Sequence, residues 1–185
     1  MTRPSPALGN GPTEIASSSR RLRALPSPTR ATLWPDIERF SLLEGLEVND
    51  FRLTIQLPES DTRCVSPALW LAFGYLDAQN FYLIHLQPGD TTCQLELHLI
   101  KSGRRIRLAH ATPTTSGRAV RLERNLRTGG IQILLDGSGA PVMSATDLTF
   151  ASGQIGIAST PGGWRREDID LQGMLASRQP MQSAS

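Results

Sequence analysis

Residues 68–86 read ALWLAFGYLDAQNFYLIHL, and their pattern decides the fold. Up to Tyr75, alternation sets Leu69, Leu71, Phe73 and Tyr75 on one side and Trp70, Ala72 and Gly74 on the other. After the turn residues Asp77-Ala78-Gln79-Asn80, it resumes with Tyr82, Ile84 and Leu86 opposite Phe81, Leu83 and His85. A period of two is the signature of a strand with two distinct faces. Asp and Asn at the break supply turn geometry through their short polar side chains. Residues 68–86 therefore predict a β-hairpin.

The same grammar extends outward. Phe51, Leu53, Ile55 and Leu57 share a side within VNDFRLTIQL, and Cys93 to Ile100 sends Leu95, Leu97 and Leu99 one way and Gln94, Glu96, His98 and Ile100 the other. Shorter runs follow at Ile106–Ala109, Val120–Arg124, Ile131–Leu135, Val142–Ala145, Gln154–Ala158 and Asp168–Gln172. Turn residues separate them: Pro88-Gly89-Asp90, Ser102-Gly103, Gly129-Gly130, Asp136-Gly137 and Pro161-Gly162-Gly163. Ile131–Leu135, Asp136-Gly137 and Val142-Met143 predict a second hairpin. No segment carries a ten-residue helical stripe, and Ile37–Leu46 is ambiguous. About ten short strands joined by hairpins predict an all-β fold: an antiparallel two-sheet jelly-roll sandwich.

Length and composition limit the domain count and partners. The chain has 185 residues, 39% apolar and 19% charged, which suits one globular domain with tails. Residues 1–35 hold Arg3, Arg20, Arg21, Arg23 and Arg30 against one acid, Glu14, and lack any hydrophobic period. They predict a disordered leader, with residues 36–175 as the sandwich and 176–185 as a disordered tail. The basic excess belongs to that leader, so the sandwich offers no basic face for nucleic acid. Arg104, Arg105 and Arg107 read as a solvated strand. No apolar run reaches the roughly 20 residues of a membrane-spanning helix, and no membrane partner is expected. The first residues lack the apolar region of a secretion signal, which predicts a cytoplasmic location unless the natural start lies upstream. Two cysteines, Cys64 and Cys93, do not make a disulfide framework; two free thiols or one bridge between strands remain open.

The segment FGYLDAQNFYLIHLQPGD, then LDGSGAPVMSATDLTFASGQIGIAS, then EDIDLQG, resembles the concanavalin A-like lectin/glucanase superfamily. The resemblance is strongest to laminin-G-like and 3-keto-disaccharide-hydrolase-like jelly-roll domains of bacterial carbohydrate-related proteins. It rests on Phe73, Gly74, Tyr75, Asp77, Phe81 and Tyr82; on Asp136 and Gly137; on Ala145, Asp147, Thr149, Phe150, Gly153 and Gly156; and on Asp168, Leu171 and Gly173. It departs at Gly117-Arg118, at Thr160-Pro161 and at Arg166. It implies a concanavalin A-like sandwich whose concave sheet holds sugar, in a fold that hosts binding modules and enzymes alike.

With Leu71, Phe73, Ile84, Leu97 and Leu99 in the core, alternation puts Trp70, Phe81, His85, Glu96 and His98 on the opposite face. Aromatic faces stack on pyranose C–H bonds, while imidazole and carboxylate bond hydroxyls. These five are the candidate ligand-binding residues of a non-catalytic, lectin-like module with a saccharide ligand. No catalytic residue is assigned, because no strand carries the paired carboxylates of a glycosidase. Asp168 and Asp170 are two apart but belong to the closing strand. A protein-interaction sandwich without sugar, and a glycoside hydrolase or lyase with an unrecognised motif, are the alternatives. No cofactor is expected. His85 and His98 with Glu96 make an incomplete metal set, and calcium at Asp136, Asp168 or Asp170 lacks the six to eight oxygens it prefers. The oligomeric state has no signal in the sequence.

Overall fold

A computed structural model of the chain describes residues 22–24, 41–43, 47–57, 68–89, 92–114, 119–159 and 169–175. These hold twelve strands and, among the described residues, no helix. One sheet has seven strands: β1 (Leu22–Ala24), β2 (Ser41–Leu43), β4 (Leu69–Asp77), β5 (Asn80–Pro88), β6 (Cys93–Lys101), β7 (Arg104–Ala111) and β11 (Gln154–Ser159), in the order β1-β2-β11-β4-β5-β6-β7. The other has five: β3 (Val48–Gln56), β8 (Ala119–Asn125), β9 (Gly130–Leu135), β10 (Met143–Thr146) and β12 (Ile169–Leu175), in the order β10-β9-β8-β3-β12. The pairings are antiparallel. The chain is the antiparallel two-sheet jelly-roll sandwich that the alternation implies.

The two inner faces make one core. Phe51, Leu53, Ile55, Leu122, Ile131 and Ile133 from the five-stranded sheet meet Leu71, Phe73, Tyr82, Ile84, Leu97 and Leu99 from the other. Phe73 stacks on Tyr82 with centroids 4.9 Å apart and meets Phe51 edge-on at 5.9 Å. The expected core faces hold, with one exception. Tyr75 does not continue the Leu69–Leu71–Phe73 row; it packs with the cluster on the outer face. Gly74 has φ +55°, and the β4–β5 register shifts between Phe73 and Asp77. That bulge rotates the strand by one position. A Cβ on Gly153 would lie 2.3 Å from the Gly74 carbonyl carbon, so position 153 admits only glycine beside β4, and the positive φ favours glycine at 74.

A buried polar latch closes one end. The Tyr82 hydroxyl donates to Asp147 Oδ1 at 2.5 Å and accepts from the Phe150 amide at 3.1 Å. Thr149 N–H donates to the same carboxylate at 2.8 Å. The Arg124 guanidinium donates to the Gly129 carbonyl at 2.9 Å and lies 5.2 Å from the Tyr82 ring centroid. Burial, with Asp147 beside it, pushes the Tyr82 phenol up to about 12. The Asp147, Thr149 and Phe150 motif is thus a structural lock.

Leu22–Ala24, assigned to a disordered leader, form edge strand β1 against β2. The ambiguous stretch Ile37–Leu46 holds a short strand at Ser41–Leu43. Cys93 is a buried free thiol near the Pro113 carbonyl. Cys64, Asp90, Gly117, Arg118, Thr160, Pro161, Gly162, Gly163, Arg166, Asp168, the rest of the leader and the tail 176–185 lie outside the described residues.

Candidate functional site

The outer face of the seven-stranded sheet is assembled by hairpin register. The β4–β5 hairpin pairs Trp70 with His85, β5–β6 pairs His85 with Glu96, and β6–β7 pairs Glu96 with His110. Directly opposed residues share a face, so these four form one row across the sheet. The next rows hold Leu83, His98 and Arg107, then Phe81, Ile100 and Arg105. The tips are tied together: Asp77 accepts from the Gln79 amide at 2.7 Å and from Asn80 Nδ2 at 2.9 Å, and Gly103 N–H donates to the Gln79 carbonyl at 3.0 Å.

All five candidate residues therefore come together on one face, as alternation places them. Three of the five are buried. Trp70, Phe81 and His98 are 6%, 5% and 2% exposed, and Trp70 and Phe81 form a second buried apolar cluster with Ala72, Leu83, Ile100 and Ala158. The expectation that Trp70 stands outside any core is corrected: it is a core residue of the outer face. Its indole lies flat on the His85 ring, with centroids 3.5 Å apart and planes 6° from parallel.

The polar part of the face is a connected cluster. Arg105 Nη2 lies 3.1 Å from Glu96 Oε2 and 2.5 Å from His98 Nε2. A guanidinium only donates, so Arg105 gives one hydrogen to each, and His98 Nε2 accepts as a neutral imidazole. The 3.1 Å approach of His98 Nε2 to Glu96 Oε2 is then two acceptors held by one donor. Burial, only partly offset by the neighbouring Glu96 carboxylate, lowers the pKa of His98 and agrees with that assignment. Burial also lowers His85, against the pull of Glu96. Burial alone would raise Glu96, but its charged neighbours, the Arg105 guanidinium among them, outweigh it and hold the carboxyl below its ordinary value. His85 Nε2 is buried and meets no hydrogen-bond partner among the described residues. Such an atom costs about 1–3 kcal/mol unless something bonds it.

Two cluster members escaped the sequence reading. Arg105 and Arg107, taken there as solvated, both turn toward Glu96, with Arg107 Nη1 at 3.6 Å from Oε1. The signal was their two-residue spacing beside the Ser102-Gly103 turn, which fixes the β6–β7 register. His110 joins the same face because a bulge between Leu97 and His98 absorbs Leu108.

Among the described residues, no group of three or more His, Cys, Asp or Glu side chains could hold a metal ion. Asp136 lies in the turn after β9, and Asp170 is exposed on β12, opposite Thr54. Glu96 is the one acid that the register places on the outer face among the described residues.

No protein-family model matches the chain, and no curated protein matches it. Among solved structures it is similar to the carbohydrate-binding module CBM66 from Bacillus subtilis, at 21% identity and TM-score 0.49, over 75% of this chain and 80% of that one. It is also similar to the kappa-carrageenase of Pseudoalteromonas carrageenovora, solved with an oligotetrasaccharide of kappa-carrageenan, at 14% identity and TM-score 0.43, over 75% of this chain and 60% of that one. Sheep galectin-11 is similar at 11% identity and TM-score 0.44, over 74% of this chain and 98% of that one.

Proposed function

We propose that the protein is a non-catalytic carbohydrate-recognition module that binds on the outer face of the seven-stranded sheet. The observation that carries this reading is the stacked Trp70–His85 pair beside the hydrogen-bonded Glu96, His98 and Arg105 cluster. Flat rings and oriented donors and acceptors side by side match a pyranose ring, which offers apolar C–H faces and polar hydroxyl edges. His85, Glu96, Arg105 and Arg107 supply the polar contacts. Trp70 and Phe81 form the floor beneath them. A single carboxylate on this face among the described residues supports binding over glycoside hydrolysis, which uses two carboxylates on opposite sides of the bond.

A second reading has its own support. The low exposure of Trp70, Phe81 and Ile100 favours a structural or protein-interaction sandwich whose outer face is simply a second core. A glycan array probed with the full chain separates the two. Recognition of a glycan class with affinity on the order of 0.01–1 mM, weakened by Glu96→Gln and unchanged by Arg52→Gln on the other sheet, supports sugar recognition. No retained glycan at millimolar density supports the sandwich without sugar.

A further inference from the structure

We propose that the saccharide taken by this face is acidic, its carboxylate or sulfate group held by Arg107 and Arg105 at the β7 edge. This rests on the saccharide reading above and names the class of sugar. The register gathers unequal charge there: two guanidiniums, Arg105 and Arg107, face a single carboxylate, Glu96, among the described residues. One carboxylate cannot neutralise two arginines, so the edge keeps a positive excess.

Glu96 uses its two oxygens differently. Oε2 takes a hydrogen bond from Arg105, which His98 shares. Oε1 faces Arg107 at 3.6 Å, an ion pair too long to be a hydrogen bond. Glu96 thereby orients Arg107 while leaving its planar fork of donors to solvent; the Arg107 side chain is 62% exposed. Such a fork matches the two oxygens of a carboxylate or sulfate with parallel, charge-assisted bonds, about twice as strong as neutral ones. A sugar hydroxyl cannot use the fork in this way.

The opposite sheet supplies the internal control. There Arg52 and Arg121 flank Glu123 in the same two-to-one ratio, with hydrogen-bonded and longer contacts of 2.9 and 3.4 Å. That outer face carries no aromatic ring or histidine at the described positions of β3, β8 and β9.

The test titrates the full chain calorimetrically with matched pairs: hexagalacturonate and its methyl ester, and a sulfated galactan hexasaccharide and its desulfated form. The acidic member of at least one pair should bind about tenfold tighter than its neutral partner, and added salt should shrink the difference. Arg107→Gln should remove the difference, while Arg121→Gln should leave it. Preference for one pair identifies carboxylate or sulfate as the group held. Neutral members binding as tightly as acidic ones would overturn the acidic assignment while keeping the saccharide reading. An acid preference that survives Arg107→Gln, or vanishes with Arg121→Gln, would place the anion elsewhere and overturn the assignment. No binding by any of the four would also overturn it, and the glycan array would then judge the saccharide reading on its own.

Discussion

Each sheet of this sandwich shows a glutamate between two arginines on its outer face, and the two settings have little else in common. Glu123 lies with Arg52 and Arg121 on a face whose outward residues are at least partly exposed and mostly polar, such as Thr54, Gln56 and Gln132, with Leu134 opposite Arg121. Glu96 lies with Arg105 and Arg107 beside Trp70, His85 and His98, over a buried floor of Leu83 and Ile100. The two carboxylates have similar exposure, 30% and 25%, so burial of the acid does not separate them. What separates them is the neighbourhood. An ion pair on a solvated strand contributes little, because water competes for both partners. The same groups over apolar surface are oriented by a connected network and sit where water is displaced at lower cost.

The largest predicted difference between the two faces is in stability. Trp70→Ala should destabilise the fold by about 3–5 kcal/mol, as a truncation of Phe73 in the main core would, through lost burial and a residual cavity. Thr54→Ala on the other outer face should change stability by no more than about 0.5 kcal/mol. Urea unfolding of both variants measures this. A Trp70 variant as stable as the Thr54 variant would mean that the Trp70 face is an ordinary surface.

The next difference is in pH dependence. Burial gives His98 a folded pKa below its ordinary 6.5. The unfolded chain takes up the proton first, so stability is full above that value and falls as pH drops from it toward the folded pKa. His85 acts in the same direction. The urea midpoint should therefore be lower at about pH 5.5 than at about pH 7.5, and His98→Gln should reduce the drop. The other face has no histidine at the described positions of β3, β8 and β9 to contribute. An equal drop in the His98→Gln protein would assign the pH dependence to groups other than His98.

The smallest effect is on the solvated triad. Glu123→Gln should cost about 0–1 kcal/mol, within the range of exposed ion pairs. Thermal denaturation in low and high salt checks it. A cost of several kcal/mol would erase the contrast between the two glutamates.

The sequence carried much of this, unevenly. Alternation in β4, β5 and β6 sorted Leu71, Phe73, Ile84 and Leu97 from Trp70, His85, Glu96 and His98, because a two-residue period is a local property. Two breaks in alternation were not legible. Gly74 redirects Tyr75 by adopting a positive φ, and the bulge at Leu108 brings His110 into line with Glu96. Both depend on pairing with a neighbouring strand, which a single run of residues does not encode. The roles of Asp147 and Thr149 were hidden for a related reason: their partner Tyr82 is 65 residues from Asp147. Burial of the outer face was also out of reach, since alternation tells which side a residue faces and not what covers it.

The chain's three histidines offer a direct readout of the central claim, since all lie on the proposed binding face. In imidazole nitrogen spectra recorded while the full chain is titrated with a glycan that the array retains, the His85 and His98 resonances should shift in step with binding. Backbone amides of Arg52, Arg121 and Glu123 should stay in place. Shifts confined to those amides, with the imidazole signals unmoved at saturation, would contradict the assignment of binding to the seven-stranded sheet.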